Sequence, residues 1–310
     1  MKKLSCILLS GIALISLNNL ANATEIGVAW LGKSSMADRV LAGVQETLTD
    51  KFPDAKLEIK SALDTKEELH AAVKGFETSK DGIIVLRSNG SAYLSAYQPS
   101  VPTFIGGGNN PVALGVMKNA DAPEGNITGV TYAIPLEDPL ASFMAIGGVS
   151  SFLLLSQANY ASSPMDWAAT KAGCDALGIT CAQALVGSVE ELSEVIGANK
   201  DKYDAFILGN QSLIFSNAKA ATAAAGQKPV FSYAEKGVEE GALAGIVADD
   251  NKLGRMLGDS IVSVLGEKKS ISEVPVKVDE APRVIINFTT VASLGIDVPG
   301  DFLNIAEIIE

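Results

Sequence analysis

The sequence predicts an α/β protein of two lobes built to a similar plan, each a parallel β-sheet covered by helices. Three observations carry that expectation. A strand, a glycine- and serine-bearing loop and an amphipathic helix follow one another over residues 24–53, and the same unit recurs through residues 149–233. The most apolar runs, such as Asp-Gly-Ile-Ile-Val-Leu at 81–86, are too short for helices and as continuously apolar as strands covered on both faces. The chain, at 310 residues with 47% hydrophobic and only 6% aromatic residues, is too long for one simple core and suits two.

Residues 1–23 read as a secretory signal peptide, with Lys2 and Lys3, an apolar run at 7–17, and Ala21-Asn22-Ala23 ahead of Thr24. The run is too short to span a bilayer comfortably. Cys6 precedes it instead of marking the cleavage point, so the expectation is a free periplasmic protein and not a lipoprotein. A first strand covers 24–30 and a loop 31–35. Met36, Val40, Leu41, Val44 and Leu48 then recur at helical spacing, so a helix opens near Ser34 or Ser35 and ends before Pro53. A strand at 57–61 and a helix at 64–78 follow, with Asp64 and Glu67 at capping-box separation. The strand at 81–86 runs into the loop Arg87-Ser88-Asn89-Gly90-Ser91, with a helix starting near Ser91.

A strand at 101–105 ends in Gly106-Gly107-Gly108-Asn109-Asn110, and another strand covers 126–131. Glycines at a strand end let backbone N–H groups approach a ligand, and open α/β sheets bind ligands beyond the carboxyl ends of their strands. This turn is therefore expected to wall a binding site. Residues 132–136 make a first crossing between lobes, and 138–148 a helix. A strand at 149–155 leads through the polar loop 156–163 to a helix with Pro164 in its first turn, ending at Leu177. Strands at 181–186, 203–208 and 229–233 alternate with helices at 189–198 and 211–225. Residues 242–247 lead to a second crossing, 251–265 form a helix, and strands at 274–278 and 284–288 close the sheets. The lobes thus comprise 24–131 with about 246–279, and 132–245 with about 280–310.

Cys174 and Cys181 lie seven apart, one near a helix end and one on the next strand. A bridge is open to them in an oxidising compartment if the turn at Gly178 folds back, and two unpaired buried cysteines are the other reading. His70, the single histidine, reads as a surface or boundary residue, and no metal site is expected. The net charge of −12 argues against nucleic acid as a partner.

Asn109-Asn110-Pro111-Val112-Ala113-Leu114-Gly115, followed by Gly125-Asn126-Ile127-Thr128-Gly129-Val130, resembles the "DPV.AGLV … GGNVTGVS" signature of a known family. That family is the ABC-transporter substrate-binding proteins typified by tryptophan- and tyrosine-binding periplasmic proteins. Downstream, Gly241-Ala242-Leu243-Ala244, Lys252-Leu253-Gly254-Arg255, the run from Ile271 to Val276 and Val284-Ile285-Ile286-Asn287 are similar to its later motifs, in order. The resemblance implies the type I periplasmic binding fold: two Rossmann-like lobes with parallel sheets joined by three crossings, here at roughly 131–135, 245–249 and 278–283. Ligand would lie between the lobes.

On one side the resemblance places Trp30, Ser34, Ser35, Asp38, Arg87, Ser88, Asn89, Ser91, Gly108, Asn109, Asn110 and Tyr132 at the ligand. On the other it places Asn159, Tyr160, Asn210, Gln211, Tyr233 and Glu235. Rich in hydroxyls, amides and aromatic rings, this set suits a small polar or zwitterionic solute. Arg87 either holds a carboxylate or phosphate bidentately or pairs with an acid across the cleft. Asp38, Asp249 or Glu235 would meet an ammonium, while Asp249 and Asp250 read equally as caps of the following helix. Trp30 and Tyr233 either edge the cleft or pack in the core.

No nucleophile with a base, metal cluster or phosphate-binding lysine stands in these loops, so no enzyme and no cofactor is expected. The function implied is a monomeric periplasmic solute-binding protein that delivers a small solute, an amino acid favoured, to an inner-membrane ABC permease. A ligand-sensing subunit that presents the closed form to a membrane receptor is the alternative, and the sequence leaves both open.

Overall fold

The computed structural model describes residues 23–310; the signal-peptide reading of 1–23 falls almost wholly outside them. Among the described residues no helix is long and apolar enough to cross a membrane. Strand β1 (Glu25–Leu31) and helix α1 (Ser35–Lys51) open the chain, followed by β2 (Lys56–Leu63), α2 (Lys66–Glu77), β3 (Gly82–Leu86), α3 (Ser88–Ala96), β4 (Thr103–Gly106) and β5 (Ile127–Thr131). The order continues with α4 (Glu137–Gly147), β6 (Ser151–Gln157), α5 (Ser163–Leu177), β7 (Thr180–Val186), α6 (Val189–Asn199), β8 (Ala205–Leu208), α7 (Ser212–Phe215), α8 (Ala218–Ala225), β9 (Val230–Ser232) and α9 (Glu235–Glu239). The last elements are β10 (Ala244–Val247), α10 (Asp250–Ile261), β11 (Lys277–Val278), β12 (Arg283–Asn287), α11 (Phe288–Leu294), α12 (Gly300–Leu303) and β13 (Ala306–Ile309).

These strands form two sheets, β11-β5-β4-β3-β1-β2 and β13-β12-β10-β9-β8-β6-β7. The first is parallel throughout. The second departs from the expected parallel plan at its C-terminal edge, where β12 runs antiparallel to β10. Alternation along the strands explains why both faces are covered. Ile26, Val28 and Trp30 join Ile84 and Leu86 in one core, while Ala29, Leu31, Ile83 and Val85 join Leu69, Val73 and Phe76 in the other. Leu154 and Phe152 likewise face one side of the second sheet and Leu153 and Leu155 its opposite side.

Three segments pass between the sheets: 132–136 from β5 to α4, 248–249 from β10 to α10, and 279–282 from β11 to β12. Lys252, in the first turn of α10, anchors the third of them, bonding Asp279 and the carbonyl of Ala281. Although it follows a strand of the second sheet, α10 packs on the first, burying Leu253, Leu257 and Ile261 beside Val40 and Val44 of α1. The two helices touch through glycines: a Cβ on Gly43 would stand 2.1 Å from the carbonyl oxygen of Asn251, and one on Gly254 2.1 Å from that of Val40.

Several local expectations shift, each for a physical reason. Helix α2 is capped by Thr65, whose side chain accepts from the Glu68 N–H at 3.1 Å while Glu68 reaches back to the Asp64 N–H, so the box sits one residue later than Asp64 and Glu67. The single helix expected over 211–225 breaks at Ser216-Asn217, where the Asn217 side chain bonds back to the Leu213 carbonyl. Helix α10 ends in a π-type turn, Val262–Gly266. Cys174 and Cys181 are joined, Cα to Cα 6.2 Å, across a turn in which Gly178 takes φ +67°.

Candidate functional site

The carboxyl ends of β1, β3, β4 and β5 face those of β6, β8 and β9 across a cleft, and between them lies a cavity of ≈ 350 Å³. From the first lobe it is lined by Ser34, Ser35, Met36 and Arg39 at the start of α1, by Arg87 and Ser88 at the start of α3, and by Asn109. The first crossing adds Tyr132, Ala133, Ile134 and Leu136. From the second lobe come Tyr160, Met165, Asp166 and Ala169, then Asn210, Ser212 and Phe215, and Tyr233 to Lys236. Around the second crossing stand Ile246 and Val247 of β10, Ala248, and Asp250 of α10.

Arg87 occupies the N-cap of α3 with φ +74°, a region that side-chain-bearing residues avoid. Its position explains the expected loop: the helix begins at Ser88, so Ser88, Asn89 and Ser91 form its first turn and only Ser88 faces the cavity. Arg87 is 8% exposed. It donates to the Leu31 carbonyl and, across the cleft, to the Tyr160 hydroxyl at 3.2 Å, and its Nε–H has no partner among the described residues. The expected alternative, a salt bridge to an acid across the cleft, is not what the structure shows. Gly32 makes room for it, since a Cβ there would stand 3.1 Å from a guanidinium nitrogen.

Asp166 supplies the opposite charge from the first turn of α5. It accepts from Asn109 Nδ2 at 2.8 Å, from the Asn210 N–H at 3.1 Å and from the Gln211 amide, and no cation. Burial pushes its carboxyl up to about 6, against the pull of those three donors. The other two cavity acids are committed elsewhere. Asp250 meets Arg39 at 2.7 Å, yet burial still raises it to about 6, and Glu235 pairs with Arg283 at 2.9 Å. The hydroxyls of Tyr132 and Tyr233 are pushed up by burial, so both rings are neutral walls, Tyr233 being held by Thr170 at 2.8 Å.

Of the residues expected at a ligand, the structure gathers Ser34, Ser35, Arg87, Ser88, Asn109, Tyr132, Tyr160, Asn210, Tyr233 and Glu235 around the cavity. Eight others do not line it. Trp30 shares a strand face with Ile26 and Val28 and is buried in the core. Asp38 points to solvent one position before the lining Arg39, Asn89 lies off the cavity side of α3, and Ser91 is buried beneath it. Gly108 contributes only its carbonyl, which accepts from Tyr132 and Thr131. Asn110 is exposed and caps the turn at Val112 and Ala113, and Asn159, at φ +57°, turns outward. Gln211 lies behind the wall, locked by Ser162 and by the Gln157 N–H, and orients Asp166. Asp249 caps α10, accepting from the Lys252 N–H at 2.9 Å.

Among the lining residues that sequence reasoning did not single out are Met36, Arg39, Met165, Asp166 and Phe215. Arg39 and Phe215 lie one position and one helical turn from expected residues, so helical phase was the available signal. An acid in the first turn of a helix, as Asp166 is, reads as a complement to the helix dipole, and nothing in the sequence marks it further.

The profile of a protein family described as ABC transporter substrate binding protein matches residues 25–309. The chain is similar to a tyrosine-binding protein of Clostridioides difficile (strain R20291), 23% identical over 285 residues, covering 87% of this chain and 80% of that one. Among solved structures it is similar to an ABC domain from Streptococcus pneumoniae in complex with L-Trp, at a TM-score of 0.81 and 22% identity, covering 93% and 99% of the two chains. It is similar also to the ligand-free, open structure of a substrate-binding protein with adhesive properties from Clostridium difficile, at 0.77 and 19%, covering 93% and 99%. These likenesses place the two-lobed fold among type I periplasmic binding proteins.

Proposed function

The chain belongs to the ABC transporter substrate-binding protein family, and we propose that it captures a small carboxylate-bearing solute, an aromatic amino acid, between its lobes and hands it to an ABC permease. It acts by binding, outside the cytoplasm and as a monomer. The observation that carries this reading is Arg87: a guanidinium buried at the cleft with no acid beside it. An unpaired buried charge is costly, and a ligand carboxylate between the lobes relieves that cost. Tyr132, Tyr160, Tyr233 and Phe215, with Met36 and Met165, offer the apolar and aromatic surface that an aromatic side chain needs. A tyrosine-binding relative and a solved neighbour holding L-Trp support the same class. The Cys174–Cys181 bridge supports an oxidising compartment, as does the N-terminal leader pattern.

Function then follows from closure. Ligand contacts made from both lobes at once favour the closed form, and a permease reads that form. Thermal melts of the purified protein against L-tyrosine, L-tryptophan, aliphatic amino acids, sugars and nucleosides test the reading, because a ligand that binds only the folded state raises the melting temperature. A saturable rise with an aromatic amino acid is expected, and Arg87→Ala should weaken binding at least about tenfold. A response to sugars or nucleosides with none to any carboxylate would overturn it.

A further inference from the structure

We propose that Asp166 receives the ammonium group of the ligand, so that the cleft selects zwitterionic amino acids over the corresponding plain acids; this rests on the reading of Arg87 as the carboxylate site. Asp166 is 6% exposed and lines the cavity, yet all its donors are neutral: an asparagine amide, a backbone N–H and a glutamine amide. A carboxylate offers about four acceptor positions. Three bonds leave room for one more, and a buried anion without a cation favours a charged donor there.

Its placement is rigid. Gln211, which with the Asn210 N–H holds one oxygen from within the same lobe, is itself fixed by Ser162 at 3.0 Å and by the Gln157 N–H at 3.1 Å, so Asp166 is held in place at the cavity wall. The two unpaired charges stand at one part of the wall. Arg87 bonds Tyr160, which precedes the helix carrying Asp166, while Asn109 donates its backbone N–H to Ser88 Oγ at 3.0 Å and its side-chain amide to Asp166. Because Glu235 and Asp250 already have arginine partners, Asp166 is the cavity acid left for a ligand cation. A sugar would leave both charges unpaired, a plain acid would leave Asp166, and an amine would leave Arg87. Only a zwitterion satisfies both.

Calorimetric titration of the purified protein with L-tyrosine, L-tryptophan, hydroxyphenylpropionate, indolepropionate, tyramine and tryptamine tests this. Each amino acid should bind about a hundredfold or more tightly than its propionate, the scale of leaving a buried charge unpaired. Asp166→Asn should remove most of that difference by weakening the amino acid while leaving the propionate unchanged or tighter, which loss of structure alone would not do. The ligand series on the unmodified protein stands by itself if the variant does not fold. Equal affinity for an amino acid and its propionate overturns the role of Asp166 and leaves the carboxylate site standing. Failure of all six compounds to bind overturns both.

Discussion

Asn109 and Asp166 meet across the cleft, Nδ2 to Oδ1 at 2.8 Å, one from the turn after β4 and the other from the first turn of α5. With Arg87 and Tyr160 at 3.2 Å, they are direct hydrogen bonds between the lobes within the cavity wall. Such bonds exist only when the lobes are together, so they contribute to closure and not to the fold of either lobe. Hydrogen bonds to charged groups contribute about 1.5–3 kcal/mol net.

Asn109→Ala should therefore shift the population towards open lobes. The expected outcome is a larger radius of gyration by small-angle scattering without ligand and a dissociation constant raised about tenfold, with the melting temperature of the protein little changed. An unaltered radius together with unaltered affinity would mean that this bond has no part in closure.

Acidification should move stability and affinity in opposite directions. Asp166 and Asp250 titrate at about 6 in the folded protein against the usual 3.8, because burial penalises their charged forms. Tyr132 and Tyr233 face Asp166 as neutral hydroxyls, with Asn109, Asn210 and Gln211 as donors. Arg39, Glu235 and Asp249 face Asp250. A raised carboxyl binds protons more readily folded than unfolded, so stability without ligand rises as pH falls from about 6.5 towards 5.5. Carboxyls held low, such as Glu77 at about 2 through Tyr97 and Ser100, oppose this from about one pH unit above their unfolded value of 4.5 and increasingly below it. Affinity for an amino acid needs ionised Asp166 and should fall about tenfold per pH unit below 6. Melts and titrations between pH 5 and 7.5 check both trends, and Asp166→Asn should flatten them while Asp250→Asn flattens mainly the melts.

Most strands were legible because burial on both faces leaves no polar position within Ile83 to Leu86 or Phe152 to Leu155, whereas the half-exposed edge strand β13 was not. Arg87, Asn109 and Tyr160 were legible for a related reason: they stand at strand ends, where the apolar run stops. Trp30 was misplaced although its alternation with Ile26 and Val28 already points it to the core. The positive φ of Arg87, which starts α3 three residues early, leaves no mark in the sequence. Asp166 and Phe215 were missed because their roles depend on helical phase and on two lobes meeting, and neither is a local property of the chain. The bonds from Lys252 of α10 to Asp279 and Ala281 in the third crossing are equally non-local.

The Cys174–Cys181 bridge joins the end of α5 to the start of β7, at the opposite ends of those elements from the cavity. Closing so short a loop restricts the unfolded chain by about 2–3 kcal/mol in the chain-entropy account. Cys174→Ser with Cys181→Ser, or reduction, should lower unfolding stability by roughly that amount in denaturant titrations. Ligand affinity should stay within about twofold, since no cavity residue rests on the bridge. A large loss of affinity at temperatures where the variant is folded would tie α5, and with it Asp166, to the disulfide.

Glycines in two helices make opposite predictions from the same substitution. Gly75 lies exposed in α2 with nothing within 4 Å of a Cβ placed on it, so Gly75→Ala should stabilise by about 0.5–1 kcal/mol through reduced freedom of the unfolded chain. Gly254 lies in α10 where a Cβ would stand 2.1 Å from the Val40 carbonyl oxygen and 3.0 Å from the Gly43 Cα, both backbone atoms that cannot rotate aside. Gly254→Ala must part α1 from α10 and should cost about 1–3 kcal/mol or more. The separation also carries Asp250 away from Arg39, which approach each other from those two helices at 2.7 Å within the cavity wall. Ligand affinity should therefore fall together with stability in Gly254→Ala, while Gly75→Ala raises stability and leaves affinity unchanged. Denaturant melts with calorimetric titration on both variants decide it, and a stable, fully binding Gly254→Ala would show that the two helices can part without disturbing the cleft.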